Sequence, residues 1–95
     1  MTLGDAGLER EVLAMFSAQA ANLIGSLAGL PPDAGVLVHT LKGSARAIGA
    51  FGVAEAAEGL ETALYKGNDP AEALIELNEA IEQARTAIDA ILRRS

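Results

Sequence analysis

The chain has one histidine, His39, and no cysteine. Candidates for a nucleophilic side chain are therefore few. Lys42, Gly43 and Arg46 follow His39 by three, four and seven residues. On an α-helix these positions lie within about 60° of His39, so the four residues form one strip, the histidine strip. An imidazole is a nucleophile near neutral pH, and an ammonium group is a compact partner for phosphate oxygens. The spacing predicts an exposed imidazole beside a cation: Lys42 would be placed to neutralise the charge of a phosphoryl group on the ring, with Arg46 as a second candidate.

Two glycines flank His39 at a distance of one turn. A glycine inside an exposed helix costs about 1 kcal/mol relative to alanine, so Gly43 needs a compensating role. We expect Gly43 to leave space for another protein to approach the ring, and Gly35 to open the approach from the other side. Together with Arg46 they are predicted partner-docking positions. The alternative for Gly43 is close packing between the first two helices.

A carboxylate is expected opposite His39. If the chain folds back at a turn near residue 50, equal steps from that turn bring residue 61 or 62 beside His39, and residue 61 is a glutamate. A carboxylate on one ring nitrogen fixes the tautomer and leaves the other nitrogen as the nucleophile. Glu61 could instead belong to the solvated acidic face of its helix, and His39 and Lys42 could be ordinary surface residues.

Apolar spacing by threes and fours predicts two helices in the first half of the chain. The first runs from Leu8 to Leu27 and ends before Gly29. The second runs from Asp33, a candidate cap, to Ile48, and His39 lies off its core-facing side. The first helix is expected to bury Leu8, Val12, Met15, Phe16, Leu23 and Leu27, and the second Ala34, Val38, Leu41, Ala45 and Ile48.

The second half predicts two further helices after a tight turn over residues 49–52. The third helix stops at Gly67. The fourth starts at Asp69, with Pro70 as its first helical residue and Glu72 as a capping-box partner, and reaches about Arg93. Their core-facing residues are Val53, Ala57, Leu60 and Leu64, then Leu74, Leu77, Ile81, Ala84, Ile88 and Ile91. The sequence thus predicts an all-α, antiparallel up-down four-helix bundle, with residues 1–95 as a single domain.

Composition argues against several classes of function. A net charge of −6 is unsuited to a nucleic-acid backbone, and no apolar stretch approaches the roughly 18 to 20 residues of a membrane span. The N-terminus lacks the layout of a signal peptide, and without cysteine a cytoplasmic setting is expected. One histidine and scattered glutamates give no metal-ligand cluster, so no metal, no cofactor and no metal-dependent hydrolase are expected. The sequence also lacks a Gly-rich phosphate loop for ATP.

The run HTLKGSARAIGA over residues 39–50 closely resembles the signature of histidine phosphotransfer (HPt) domains. The Leu-Glu pair at residues 60–61 and the Gly-Asn-Asp turn at residues 67–69 are also similar to the family's pattern. The resemblance implies that His39 is phosphorylated, that Lys42 is the cationic helper, and that Gly43 lies beneath the docking partner. Glu61 falls where family members hold a glutamine or glutamate near the histidine.

The resemblance also implies partners: response-regulator receiver domains, which carry a phospho-aspartate and Mg²⁺, or a hybrid histidine kinase. The expected function is that of a monomeric phosphoryl carrier in a two-component phosphorelay, which is not an enzyme because it has no ATP site. The alternative is an acidic four-helix adaptor that docks a receiver or a partner helix without chemistry. An acid-labile, base-stable phosphoryl adduct would distinguish the two.

Overall fold

The computed structural model describes residues 6–94, which form four α-helices and no strand. The helices are α1 (Ala6–Leu27), α2 (Ala34–Ile48), α3 (Phe51–Lys66) and α4 (Ala71–Arg93). The predicted all-α four-helix bundle is confirmed. Residues 1–5 and Ser95, which the predicted domain includes, lie outside the described residues.

The side-chain contacts between helices indicate that neighbours run antiparallel. Between α2 and α3, His39 pairs with Glu61 and Arg46 pairs with Glu58, so residue numbers rise on one helix as they fall on the other. Between α1 and α4, Arg10 contacts Ile91 whereas Ser17 contacts Arg85. Each helix packs against two others in the cyclic order α1, α2, α3, α4. Short connections between packed helices are typical of up-down bundles.

Two glycines end α2 and α3 in the same way. Gly49 and Gly67 have φ values of 83° and 72°, the left-handed conformation that glycine adopts without steric cost. The next N–H turns back to the helix: that of Ala50 donates to the Ala45 carbonyl at 2.8 Å, and that of Asn68 donates to the Ala63 carbonyl at 2.9 Å. This is the Schellman arrangement, which satisfies carbonyls at a helix end.

The turn between α2 and α3 is shorter than predicted. The turn was expected over residues 49–52, but Phe51 and Gly52 already belong to α3, so only Gly49 and Ala50 connect the two helices. The start of α4 also differs, because the helix begins at Ala71 with Pro70 preceding it. The Asp69 carboxylate still accepts a hydrogen bond from the Ala71 N–H at 3.0 Å. Asp33 occupies the N-cap position of α2 but makes no capping bond through its side chain.

The core is entirely apolar among the described residues, with no buried polar or charged side chain. The predicted stripe of α2 is confirmed for four positions, and Ile48 is partly buried. Since burial of large aliphatic side chains contributes about 1.5 to 3 kcal/mol each, this cluster is the main source of stability. Its members are Phe16, Ala20, Leu27, Ala34, Val38, Leu41, Ala45, Val53, Ala54, Ala57, Leu60, Leu77, Ile81 and Ile88.

Some predicted core residues lie at the surface. On α1, Leu8 and Val12 are about two-fifths exposed and Met15 is 71% exposed, while Ala20 is fully buried. Adjacent residues on a helix point about 100° apart, so Met15 and Phe16 cannot both face the core, and Phe16 does. On α4 the predicted Ile91 is 43% exposed, and its neighbour Leu92 packs against the core instead.

Candidate functional site

His39 stands on the outer face of α2. Val38 and Leu41 are fully buried, and rotation by about 100° from Val38 turns His39 away from the bundle interior. Its side chain is 70% exposed. The imidazole is therefore reachable by another protein without any change in the fold.

Glu61 projects from α3 beside this ring. Its Oε2 atom lies 2.9 Å from His39 Nδ1. A carboxylate can only accept hydrogen bonds, so in this contact the proton lies on Nδ1, and in the neutral ring Nε2 then carries the lone pair. Glu61 follows the fully buried Leu60, which anchors α3 at this level of the bundle. The geometry thus orients the ring and leaves Nε2 as the nucleophilic nitrogen.

Lys42 reaches the same carboxylate from one turn along α2. Its Nζ donates to the second oxygen of Glu61, Oε1, and its side chain is only 14% exposed. Hydrogen bonds from Lys42 and then from His39 lower the pKa of Glu61, and partial burial offsets this only in part. Glu61 therefore stays ionised at neutral pH and holds both the imidazole and the ammonium group.

The two predicted docking glycines have open space around them. A Cβ added at Gly35 or at Gly43 would meet no other atom within 4 Å. Close packing of α1 against α2 therefore does not require a glycine at residue 43, and that alternative is wrong. The empty space at Gly43 faces solvent, one turn from the imidazole.

Arg46 lies on the histidine strip but outside the cluster around Glu61. Its Nη2 atom is 3.5 Å from Glu58 Oε1, and both side chains are about half exposed. Seven residues separate Arg46 from His39, which is about 10 Å along the helix axis. The structure thus brings His39, Lys42 and Glu61 together and leaves Arg46 at a distance.

An apolar groove opens between α1 and α2 beside the strip. Its volume is about 450 Å³, and we call it the α1–α2 groove. Sequence reasoning missed it because Val12 and Met15 were assigned to the core, although adjacent apolar residues such as Met15 and Phe16 already indicate that one must face outward. Val36, one turn before His39, adds another exposed apolar side chain. The groove is lined by Val12, Met15, Phe16, Gln19, Ser44, Ala47 and Ile48.

The described residues offer no candidate metal site. Between residues 6 and 94, no group of three or more His, Cys, Asp or Glu side chains is placed to hold a metal. The same part of the chain contains no helix long and apolar enough to cross a membrane.

Comparison with known proteins gives one match. Residues 11–92 match the model of a protein family described as the Hpt domain. The matched range covers most of the chain and contains His39, Lys42, Glu61 and the whole α1–α2 groove. No curated protein and no solved structure matches the chain.

Proposed function

The chain belongs to the Hpt domain family, and from this premise we propose that His39 accepts a phosphoryl group from the aspartyl phosphate of one response-regulator receiver domain and passes it to another. Family membership establishes histidine phosphotransfer within phosphorelays, and interaction with response regulators or histidine kinases, in general terms. The residue roles and the receiver partners are our proposal for this chain.

The observation that carries the proposal is the contact between His39 Nδ1 and Glu61 Oε2 at 2.9 Å, on a ring that is mostly exposed. In the transfer step, the Nε2 lone pair attacks phosphorus in line with the bond to the aspartate oxygen. A P–N bond forms and the P–O bond breaks, and the aspartate leaves as a carboxylate. The ring becomes cationic, with its proton still on Nδ1, and the ionised Glu61 stabilises that charge.

Lys42 is proposed to stabilise the transferred group. An ammonium group has three N–H donors, of which the contact with Glu61 uses one. Another can be directed at a phosphoryl oxygen on His39, one helical turn away. Because phosphoryl transfer depends mainly on positioning and on electrostatic stabilisation, a cation held at this position assists the step. The return step, from His39 to the next aspartate, uses the same groups in reverse.

Docking is proposed to use the histidine strip and the α1–α2 groove. The open space at Gly35 and Gly43 lets a partner approach the ring from both directions along α2. The exposed apolar side chains of Met15 and Val36 supply contact area beside it. The proposed partner is a receiver domain, which provides the phospho-aspartate and Mg²⁺.

The proposal has further parts. The protein is a phosphoryl carrier without an ATP site or autokinase activity, so the phosphoryl group comes from another protein. We propose that it acts in the cytoplasm as a monomer, with residues 1–95 as one domain, and that it engages neither nucleic acid nor membrane.

The test is phosphoryl transfer from receiver domains labelled with radioactive acetyl phosphate. The wild-type protein is expected to gain an acid-labile, base-stable label, the stability typical of a phosphohistidine. His39→Gln should gain none while keeping the helical circular dichroism of the wild type, because the side chain is exposed. Label on His39→Gln would overturn the assignment. Receiver binding without any label on the wild type would favour the non-catalytic adaptor.

A further inference from the structure

The charges of the chain are unevenly distributed between its two halves. Residues 6–50, which include all of α1 and α2, carry three cations and three acidic residues. Residues 55–95, which include most of α3 and all of α4, carry nine acidic residues and four cations. Residues 6–50, whose two helices hold the α1–α2 groove, are therefore neutral in net charge, although the protein is acidic as a whole.

The two cations of α2 are Lys42 and Arg46, and they differ in how firmly they are held. Lys42 is mostly buried and bonded to Glu61. Arg46 is 53% exposed, and its contact with Glu58 is long. Exposed ion pairs contribute only about 0 to 1 kcal/mol, so Arg46 can exchange Glu58 for another carboxylate at little cost.

The remaining cation at this end of α1 is already engaged. The Arg10 guanidinium donates to the backbone carbonyls of Ile91 and Leu92 at the end of α4. Among the described residues of α1 and α2, Arg46 is therefore the cation best placed to meet a partner.

We infer that Arg46 is a specificity-determining residue that binds a carboxylate on the receiver, about 10 Å along α2 from His39. The inference rests on the proposed function. Arg46 lies two turns beyond His39 on the histidine strip, with the open space of Gly43 between them. A receiver that packs over Gly43 would also contact Arg46, because Arg46 lies only three residues further along α2.

The chemistry of the partner favours this contact. A protein that holds Mg²⁺ beside a phosphorylated aspartate binds the ion through one or two carboxylates, so the surface around that site carries acidic residues. Such a surface is repelled by the acidic face of α3 and α4 and is not repelled by the neutral side formed by α1 and α2. Arg46 then provides a bidentate partner for one carboxylate, which must displace Glu58 from the guanidinium.

The experiment uses the receiver that transfers fastest, phosphorylated with acetyl phosphate. Arg46→Glu is expected to raise KM for that receiver roughly tenfold or more while kcat at saturation stays within about twofold. Arg46→Lys should recover part of the loss. Glu58→Gln should lower KM about twofold, because it releases Arg46. The matched control is Arg94→Glu, which makes the same change in charge at the end of α4 and should leave KM nearly unchanged.

The salt dependence and the binding affinity separate this inference from the proposed function. The wild-type KM should rise with ionic strength, and that of Arg46→Glu should rise less. Calorimetric Kd values for the unphosphorylated receiver should follow the same order of variants, whether or not label reaches His39. Equal KM and Kd values for Arg46→Glu and Arg94→Glu would overturn the role of Arg46 and leave the proposed function intact. Binding that depends on Arg46 without label on His39 would overturn only the proposed function.

Discussion

Glu61 Oε2 lies 2.9 Å from His39 Nδ1, while the other oxygen of the same carboxylate accepts from Lys42. One side chain thus fixes the tautomer of the imidazole and holds the nearby cation. Because the carboxylate comes from α3 and both of its partners come from α2, the site exists only when these two helices are packed in register. Its chemistry is therefore tied to the hairpin that Gly49 and Ala50 close.

Glu61→Gln is expected to lower kcat for phosphoryl transfer by about 10- to 100-fold. Removing the carboxylate that orients a metal-binding histidine has an effect of this size. A glutamine amide has only one oxygen, so it cannot accept hydrogen bonds from His39 and from Lys42 through separate oxygens. If its NH₂ group turns toward Nδ1, the ring proton moves to Nε2 and the nucleophilic lone pair is lost.

The ¹⁵N chemical shifts of the His39 ring report this change independently of activity. The wild type should show a proton on Nδ1, whereas Glu61→Gln should show a mixture of tautomers. Glu58→Gln, one turn earlier on α3, is the control and should keep the wild-type tautomer. Unaltered shifts together with unaltered kcat in Glu61→Gln would contradict the orienting role.

Stability should depend on the ionisation of Glu61 at acidic pH. Its pKa is lowered in the folded protein from the ordinary value of 4.5, so folding favours the charged form. This contribution is fully present above about pH 4.5 and is lost as the pH falls through the lowered pKa. Thermal unfolding of wild type and Glu61→Gln should therefore differ most near neutral pH and converge in acid. If the difference in Tm between the wild type and Glu61→Gln grew larger as the pH fell, this prediction would be contradicted.

Gly43→Ala is expected to separate stability from function. No atom would oppose the new Cβ, so the variant should be more stable by about 0.5 to 1 kcal/mol. The same methyl group reduces the space above the strip and should raise KM for the receiver. Denaturant unfolding and transfer kinetics measure the two effects.

Gly59→Ala is the matched control for that variant. Gly59 is also an exposed helical glycine with open space around it, but it lies on α3 and outside the histidine strip. It should gain similar stability without any change in KM. If both alanine variants transfer as the wild type does, the space at Gly43 has no part in docking.

Met15→Glu should weaken docking without unfolding the protein. Met15 is 71% exposed on the α1–α2 groove, so a charge there costs the fold little but opposes an apolar partner. A roughly tenfold rise in KM, about 1.4 kcal/mol of docking free energy, is expected. The same substitution at the exposed Ile75 of α4 is the control. A comparable rise in KM for Ile75→Glu would show that the receiver does not dock specifically on the α1–α2 groove.

Local rules predicted the four helices and the position of Glu61 beside His39. Gly49 and Gly67 end helices because they supply a left-handed residue, and equal steps from the turn placed Glu61 opposite His39, as observed. The bond between Lys42 and Glu61 was not predicted, because it depends on how closely α2 and α3 approach. Which apolar residues of α1 are buried depends on the rotation of that helix about its axis, and spacing alone assigned Met15 to the wrong side.

The wholly apolar interior has an evolutionary consequence. Among the described residues, no buried side chain takes part in the proposed transfer or in the contact between Arg46 and Glu58, so substitutions on the histidine strip alter partner choice while the fold is preserved. Duplicated copies of such a chain could diverge toward different receivers by a handful of surface changes. Crosstalk between parallel signalling routes would then be reduced without rebuilding the scaffold.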